Sequence, residues 1–599
     1  MDPTSTKPPA DRRRGPGQGI ARGAAIIAAL TVLSRILGLA RTLVFSQSIG
    51  AGCLGTAYTT ANQVPSLIYE VAIGGALTSA MVPVLARSAE RAASRRHEGP
   101  DGPGTDGDPE ALLRVERITS ALLTWAVLIL VPLTVVIAVA AGPVAALLNP
   151  VNPNAHCPHP QMISQTSRLL VMFAPQVFLY GVSVVLFGLL QAYRRFTGPA
   201  LAPVIANVVL ITCYLTFIPV DGGRSFLETP EAATLLLGFG TTANIAALVL
   251  VPAVPAWRLR LRLRPALTFP PGVARQAGGL VLVGLVEFVA QDVLNVIIIA
   301  VANGHGDTGA LVLANYTMQV FNAMYGVLAV SIVTSVFPVL SSRDGDAFDR
   351  VSAGSTRAVL LVSWLGTALI IAIAYPAANV LAQQENQVPQ LIWAFALTAP
   401  AVAGMGVVTN LSRVMFVLGR LKMAAIALTA ISVVALALDL LVPVLVPPEW
   451  VVPGITAAST IAAIVVAFPV VRAIRRIRGP AAVAGAARAN LTGIAAAVVA
   501  SAAGVAVSLA IPADRRLVYG ASAVAAALAA TVVFAAVAFA LDKDDLRAIA
   551  RRARRYRRPL SERPLYGTDR GACPGPGRLG PTRPPPLRPA AAARLAWRR

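Results

Sequence analysis

Two arginines stand inside an apolar segment near the start of the chain, where residues 34–65 read SRILGLARTLVFSQSIGAGCLGTAYTTANQVP. Arg35 and Arg41 lie in the first apolar run, and a Gly-rich turn at 50–52 separates it from a second run that ends at Arg87. A charge near the bilayer centre is costly unless it faces protein or an aqueous cavity. The stretch therefore predicts the first two helices of a polytopic transporter, which help to line a charged central cavity.

The composition is that of a membrane protein. Of the 599 residues, 56% are apolar and only 13% are charged. Apolar runs of about 20 residues or more, long enough to cross the hydrocarbon of a bilayer, recur along most of the chain. In a soluble protein the net charge of +23 would indicate nucleic-acid binding. Here the basic residues lie in short loops and tails, which favours the membrane surface as partner and argues against nucleic acid.

The pattern predicts an all-α polytopic fold with about 14 transmembrane helices. Several runs are longer than a bilayer needs, so tilted or kinked helices are expected, with kinks at Pro65, Pro132, Pro175 and Pro203. The predicted spans are residues 24–47, 56–86, 118–148, 166–192, 200–219, 232–256, 272–301, 309–340, 357–382, 390–418, 423–446, 453–474, 486–511 and 517–541.

The loops between these spans differ sharply in charge. The six loops on one side contain 23 Lys and Arg residues, whereas the seven on the other side contain only Arg224, Arg515 and Arg516. Because basic loops stay in the cytoplasm, this alternation predicts cytoplasmic N- and C-termini and an even number of helices. The expected location is the plasma membrane.

The chain is predicted to form two lobes, two added helices and two tails. Residues 77–85 (LTSAMVPVL) and 332–340 (IVTSVFPVL) form a weak internal repeat, which indicates parallel halves. The basic cluster at 551–558 is expected to contact anionic membrane lipids or to anchor the topology. The predicted parts are a disordered cytoplasmic tail (1–23), an N-lobe (24–256), a C-lobe (257–474), helices 13 and 14 (475–541) and a basic, Pro-rich cytoplasmic tail (542–599).

The two arginines of the first span cannot share one narrow face of a helix. A separation of six residues turns the side chains about 120° and ~9 Å apart. Either the cavity wraps around this helix, or one arginine pairs with an acid such as Glu70 or Asp292.

Two further groups of polar residues recur at helical spacing in the seventh and eighth spans. In a bilayer such stripes must face protein or water, so they are candidate cavity residues. Hydrogen bonds between helices explain the Asn and Gln residues equally well, but the carboxylates less readily. Arg413, near the inner end of the tenth span, either binds substrate or reaches the cytoplasmic surface. The two groups are Glu287, Gln291, Asp292 and Asn295, and Asn315, Gln319 and Asn322.

The cysteines and histidines show no metal-ligand spacing. Cys53 and Cys157 fall in loops predicted to be external, where they can either bridge or stay free. His156 and His159 flank Cys157 but lack further ligands. The sequence contains no phosphate-binding Gly-rich loop with Lys-Ser/Thr, no G-x-S-x-G and no H-E-x-x-H. We therefore expect no metal, no cofactor and no enzymatic activity.

Short motifs follow one another along residues 24–541: LSRILGLAR (33–41), GAG (50–52), ANQVPSL (61–67), MVPVLA (81–86), QAYRRFTGPALAP (191–203), GVLAV (326–330), FPVLS (337–341) and SRVMF (412–416). In this order they resemble the MurJ/MviN family of lipid II flippases, within the multidrug/oligosaccharidyl-lipid/polysaccharide exporter group. The resemblance implies two six-helix lobes and two extra helices around a cationic cavity. It also implies alternating access that moves lipid II (undecaprenyl-pyrophosphoryl disaccharide-pentapeptide) from the inner to the outer leaflet.

Arg35 and Arg41 match the two first-helix arginines of that family's cavity. The chain departs from the family pattern at three places. Thr56 stands where an acid is usual, Tyr69-Glu70 stands in place of a basic pair, and Gln319 occupies an arginine position of the eighth helix. We therefore expect a less basic cavity than is usual in the family.

The expected function is translocation of lipid II for cell-wall synthesis. The alternative is a flippase for another lipid-linked glycan, or a small-molecule exporter of the same fold. An intramembrane enzyme acting on polyprenyl phosphates, or a scaffold for the wall-synthesis machinery, would belong to a different class. Expected partners are lipid II, anionic lipids and cell-wall synthesis proteins. The candidate substrate-binding residues are Arg35, Arg41, Asn62, Gln63, Glu70, Glu287, Asp292, Asn315, Gln319 and Arg413.

Overall fold

The structure is a computed structural model that describes residues 16–71, 109–268, 273–512 and 515–541, with side chains for 29–70, 110–268, 285–512 and 515–541. Within these ranges the chain forms helices and turns and no β-strand, which confirms the all-α prediction. The first helix begins at Pro16, so residues 16–23 of the predicted disordered tail are helical. Proline suits the first turn of a helix because the missing N–H has no partner there. The C-terminal tail and residues 77–85 of the repeat lie outside the described ranges.

The described residues contain nineteen α-helices. In chain order they are α1 (Pro16–Ser48), α2 (Cys53–Val71), α3 (Pro109–Val139), α4 (Ala141–Leu148), α5 (His159–Phe173), α6 (Pro175–Ala192), α7 (Thr197–Asp221), α8 (Glu231–Trp257), α9 (Val273–His305), α10 (Ala310–Met324), α11 (Ser331–Ser341), α12 (Gly345–Leu381), α13 (Gln387–Thr398), α14 (Ala401–Val417), α15 (Leu421–Asp439), α16 (Val442–Leu445), α17 (Val451–Arg478), α18 (Ala486–Ala510) and α19 (Arg516–Leu541).

Thirteen helical stretches in the described residues are long and apolar enough to cross a membrane. They coincide with all the predicted spans except 56–86, whose first part is α2 and whose second part lies outside the described ranges. Several spans consist of two helices in line. Pro175, one of the predicted kink points, starts α6 directly after α5, and the π-helical segment Tyr325–Val330 joins α10 to α11.

Helices pack both against their sequence neighbours and against helices further along the chain. In the first half, α7 packs against α1 and α8, while in the second half α14 and α15 pack against α17. The last two helices, α18 and α19, pack against each other and against α12. Contacts between the halves run mainly through α2 with α9 and α10 and through α1 with α10. The division into two lobes is compatible with these contacts and stays a prediction.

One apolar core joins the halves near the α1–α2 turn. It includes Phe45, Tyr58 and Tyr214 from the first half and Tyr316 from the second. Aromatic rings meet there, and the centroids of Phe45 and Tyr316 are 6.2 Å apart. The halves are therefore tightly packed at this end of the bundle.

Candidate functional site

A cavity of about 430 Å³ lies between α1, α7 and α10. It combines residues from both halves of the chain, because α10 belongs to the second half. The wall carries polar and charged groups among small apolar residues. The lining consists of Thr31, Ser34, Arg35, Gly38, Leu39 and Arg41 from α1, Pro199, Ala200, Pro203 and Asn207 from α7, and Gln319 and Ala323 from α10.

Both arginines of the first span line this cavity. The cavity therefore extends around α1, as one of the two sequence-based alternatives predicted. The other alternative, an ion pair with Glu70 or Asp292, does not occur among the described side chains. Gly38 lies between the arginines on the cavity wall, where its lack of a side chain leaves open space.

Arg35 extends from α1 toward the second half. Its guanidinium lies beside the π-helical segment, so that a Cβ added to Gly326 would be 3.3 Å from Nη2. The Arg35 side chain is exposed and that of Arg41 is half-buried. Arg35 and Arg41 are two cations with no carboxylate of the described residues at contact distance, and they create a positive field, which is strong beside a low-dielectric wall. The arrangement suits a ligand with at least two negative charges.

Gln319 is the third predicted residue in the cavity, and it supplies a neutral amide at the α10 wall. Two other predicted residues bind each other instead, since Gln63 Nε2 of α2 donates to Asn315 Oδ1 of α10 at 3.2 Å. Ser432 of α15 similarly donates to Gln291 Oε1 of α9 at 3.0 Å. Hydrogen bonds between helices therefore account for one residue of each polar stripe, Gln291 and Asn315. Asn62 is half-buried on α2, outside the lining of the cavity.

The predicted acids and Arg413 also lie outside the lining. Glu70 of α2 is exposed and is close enough to Asp292 of α9 for the two carboxylates to interact electrostatically. Asp292 Oδ1 is buried and accepts no hydrogen bond from the described residues. Glu287 interacts electrostatically with Arg413, which is exposed on α14.

The Arg413 guanidinium lies 5.7 Å from the ring centroids of both Phe337 and Phe416. Such cation–π contacts hold a cation without neutralising it. The structure thus brings three of the ten candidate residues, Arg35, Arg41 and Gln319, into one cavity. The other seven candidate residues lie outside the lining of this cavity.

The bundle is closed at the end that carries the α1–α2 turn. We call the hydrogen bonds between residues 46–51 and 380–387 the clasp. They join the first half to the second, and amide side chains supply the donors. The clasp consists of Gln383 Nε2 to Ser46 O (2.9 Å), Gln47 Nε2 to Val380 O (2.7 Å) and Gln387 Nε2 to Ala51 O (3.0 Å).

A second set of contacts at this end involves the loop between α4 and α5. Asn152 Nδ2 donates to the carbonyls of Asn303 and Gly306, both at 2.8 Å. Asn303 Nδ2 in turn donates to Thr60 Oγ1 at 2.9 Å. The Cys53–Cys157 disulfide fixes the loop to the start of α2. Of the two states that the sequence allowed for this cysteine pair, the bridged one is present.

Comparison with known proteins shows which family the chain belongs to. The family model described as lipid II flippase MurJ matches residues 45–525. The chain belongs to the lipid II flippase MurJ family. The match covers most of the chain, and it confirms the resemblance seen in the motifs.

The chain is similar to the lipid II flippase MurJ of Burkholderia cenocepacia, with 26% identity over 54% of this chain and 57% of the relative. It is also similar to the probable lipid II flippase MurJ of Synechocystis sp., with 27% identity over 43% of this chain and 44% of the relative. The alignments thus span about half the length of these curated relatives.

Two solved structures share the fold. A lipid II flippase MurJ in an inward closed conformation matches with a TM-score of 0.64 and 15% identity, over 87% of this chain and 99% of that one. An inward-facing transporter of the multidrug resistance MATE family, in the MOP superfamily, matches with a TM-score of 0.56 and 12% identity, over 76% of this chain and 98% of that one. At such identities the likeness concerns the fold alone.

Asn207 is an amide of the cavity lining that sequence reasoning missed. It is a single amide in the apolar span 200–219, and its Nδ2 donates to Pro203 O of the same helix at 2.9 Å. Its Oδ1 is left as an acceptor on the cavity wall. A lone polar residue in a membrane span was the available signal.

Proposed function

We propose that this protein translocates lipid II from the inner to the outer leaflet of the plasma membrane by alternating access, with both termini in the cytoplasm. One observation carries the proposal. Arg35 and Arg41 line one cavity between the two halves, and no described carboxylate forms an ion pair with them. Membership of the lipid II flippase MurJ family supports the choice of cargo.

The physical problem in this transport is the pyrophosphate. It cannot enter hydrocarbon unescorted, because burying an unpaired charge is prohibitively costly. An arginine guanidinium stays charged at any physiological pH and binds phosphate oxygens through two parallel hydrogen bonds. Arg35 and Arg41 would hold the pyrophosphate while the polyprenyl tail stays in the bilayer. A cavity of about 430 Å³ has room for part of the headgroup, which would extend from it on the side away from the clasp.

Alternating access requires one end of the bundle to be closed while the other admits the headgroup. The clasp and the loop between α4 and α5 supply the closed end. In this proposal the clasp opens after the pyrophosphate has bound, and the cargo leaves toward the outer leaflet. The pathway is transport without covalent chemistry, so the protein acts as a carrier rather than an enzyme.

Gln319 supports a second candidate cargo. Because the α10 wall presents a neutral amide, the described lining of the cavity carries only the two charges of α1. A lipid-linked glycan with a less anionic headgroup than lipid II would suit that wall as well. Competition between lipid II and such a lipid for the purified protein distinguishes the two cargoes.

The proposed function is tested by the leaflet distribution of lipid II in cells depleted of this protein. Depletion should trap lipid II in the inner leaflet, and the wild-type chain should release it. Arg35→Ala and Arg41→Ala should not. Arg168→Ala is the matched control, because Arg168 lies in an exposed surface ion pair with Glu231. If lipid II still reaches the outer leaflet after depletion, the cargo is another lipid.

A further inference from the structure

The segment between α8 and α9 has an unusual conformation for a loop. Residues 258–268 read RLRLRLRPALT, and we call them the strap. Residues 258–260 form a turn in which Arg260 has a φ of +50°, and residues 261–267 then run in an extended conformation along α3. Four hydrogen bonds hold it there: Arg262 N to Glu116 Oε1 (2.7 Å), Arg264 N to Ser120 Oγ (3.1 Å), Ala266 N to Thr124 Oγ1 (3.1 Å) and Trp125 Nε1 to Leu267 O (3.1 Å).

The spacing of these bonds follows from geometry. Two residues of extended chain advance about 6.6 Å. Four residues of α-helix advance about 6.0 Å. Every second N–H of the strap therefore meets an acceptor one helical turn further along α3. This register fixes the direction in which the strap's side chains point.

The side chains of the strap differ in exposure, and from Leu261 onward they alternate in direction. In an extended chain, successive side chains point to opposite faces. Leu259 is 2% exposed and packs in a cluster with Val115, Ile118 and Leu189, and Leu261 packs against the same cluster. Arg258, Arg260, Arg262 and Arg264 are all exposed. Leu259 and Leu261 thus anchor the strap, and its four arginines form a row on its exposed side.

The arginines of this row have no anionic partner among the described residues. The nearest acid in the bonding pattern, Glu116, accepts a hydrogen bond from a backbone N–H of the strap. Arg114 and Arg117 on α3 are exposed nearby in the sequence and add further positive charge. Like charges at this spacing repel each other, so the surface is complementary to an array of anions.

The residues around the strap indicate which anions it contacts. Trp257, immediately before it, is 86% exposed, and Leu263 and Leu267 are also exposed. Tryptophan beside exposed leucine and arginine is typical of the boundary between hydrocarbon and headgroups. The strap also lies at the end of the bundle with Arg195, whose Nη1 donates to Pro255 O at 3.4 Å, and this end is the one predicted to be cytoplasmic.

We propose that the strap is a binding site for anionic phospholipids, whose phosphates the arginine row contacts. The guanidinium groups bind phosphate oxygens, and the exposed Leu263, Leu267 and Trp257 contact the acyl chains close to the glycerol. The site is separate from the cavity around α1 and does not depend on which cargo that cavity carries. It is also distinct from the basic C-terminal cluster at 551–558.

The test is lipid binding to the purified protein in detergent, measured by native mass spectrometry. Phosphatidylglycerol and phosphatidylcholine are titrated separately. The test variant is Arg258→Gln/Arg260→Gln/Arg262→Gln/Arg264→Gln. The matched control is Arg420→Gln/Arg472→Gln/Arg475→Gln/Arg476→Gln, which removes the same charge from exposed arginines of other loops predicted to be cytoplasmic. The double variant Arg262→Gln/Arg264→Gln serves if the quadruple variant does not fold.

We expect the wild type and the control to retain tightly bound phosphatidylglycerol. The strap variant should bind it at least fivefold more weakly, and the double variant should bind with intermediate strength. Equal loss in the strap variant and the control would overturn the proposal, because total charge alone would then explain the binding. Equal binding of phosphatidylcholine would overturn it too. Displacement by millimolar inorganic pyrophosphate would reassign the row to soluble phosphates.

Discussion

Gly309, at the start of α10, is the residue whose replacement should open the clasp most selectively. Its φ is +86°, a region that favours glycine, and it lies directly against the α1–α2 turn. A Cβ built on Gly309 would overlap the carbonyl oxygen of Ala51. That oxygen also accepts the Gln387 hydrogen bond of the clasp. In Gly309→Ala, therefore, the backbones of the two halves must separate at this point.

The magnitude follows from two costs. The left-handed backbone costs an alanine about 1–2 kcal/mol, whether the clasp is open or closed. The overlap with Ala51 arises only in the closed state, and overpacking of this kind costs about 1–3 kcal/mol. Only the second cost shifts the equilibrium between open and closed, by roughly 5- to 150-fold. A clasp that opens in about 1% of wild-type molecules would then open in roughly 5–60% of the variant.

The distance across the closed end measures this shift. Spin labels at Val151 and Glu385, both exposed, report on the two halves by double electron–electron resonance. The labels should be attached through non-canonical amino acids, because the Cys53–Cys157 disulfide must stay intact. We expect a second, longer distance in Gly309→Ala.

Gly222→Ala is the matched control. Gly222 has a φ of +66°, but no atom lies within 4 Å of the position that a Cβ would occupy. This variant bears the backbone cost without the overlap, so its distances should equal those of the wild type. If Gly309→Ala gives the same distances as Gly222→Ala, contact between Gly309 and Ala51 does not hold the end closed.

Three stability predictions concern the tyrosine hydroxyls and the disulfide. Tyr58→Phe should lower the unfolding free energy by about 1–2 kcal/mol, seen as a lower Tm in detergent, because the Tyr58 hydroxyl bonds Tyr214 and Thr241 at 2.9 and 2.8 Å. Tyr316→Phe should leave the Tm unchanged or raise it, since no described group bonds that hydroxyl. Cys53→Ser/Cys157→Ser should also lower the Tm, and the loss in unfolding free energy should stay below the ~4.7 kcal/mol that chain entropy predicts for a loop of about 100 residues. Reductant should lower the Tm of the wild type in the same way, whereas Cys213→Ser should not lower the Tm.

Much of the fold could be predicted from the sequence, because hydropathy is a local property. Each apolar run had to be helical and to span the membrane, since lipid offers the backbone no hydrogen bonds. Arg35 and Arg41 were found for a related reason: a charge in an apolar run needs a cavity or a partner. The helical start at Pro16 was missed, because polar composition alone does not show where a helix begins.

The remaining residues of the site depend on tertiary contacts. Helical spacing placed Gln63 and Asn315 on polar faces, but it could not show that these faces meet each other rather than the cavity. Helical spacing likewise could not show that Glu287 and Arg413 interact with each other rather than with the contents of the cavity. Asn207 carried too weak a signal by itself. The clasp is built from side-chain amides and backbone carbonyls more than 300 residues apart, and no local pattern encodes that pairing.

The most direct test of the central claim is lipid II translocation in proteoliposomes that contain only this protein. Fluorescent lipid II in the inner leaflet is bleached by a membrane-impermeant reductant once it reaches the outer leaflet. Charge-assisted hydrogen bonds contribute about 1.5–3 kcal/mol each. Loss of both guanidiniums in Arg35→Gln/Arg41→Gln should therefore slow translocation by roughly 10²-fold or more relative to the wild type. Translocation at the wild-type rate in this variant would contradict the account.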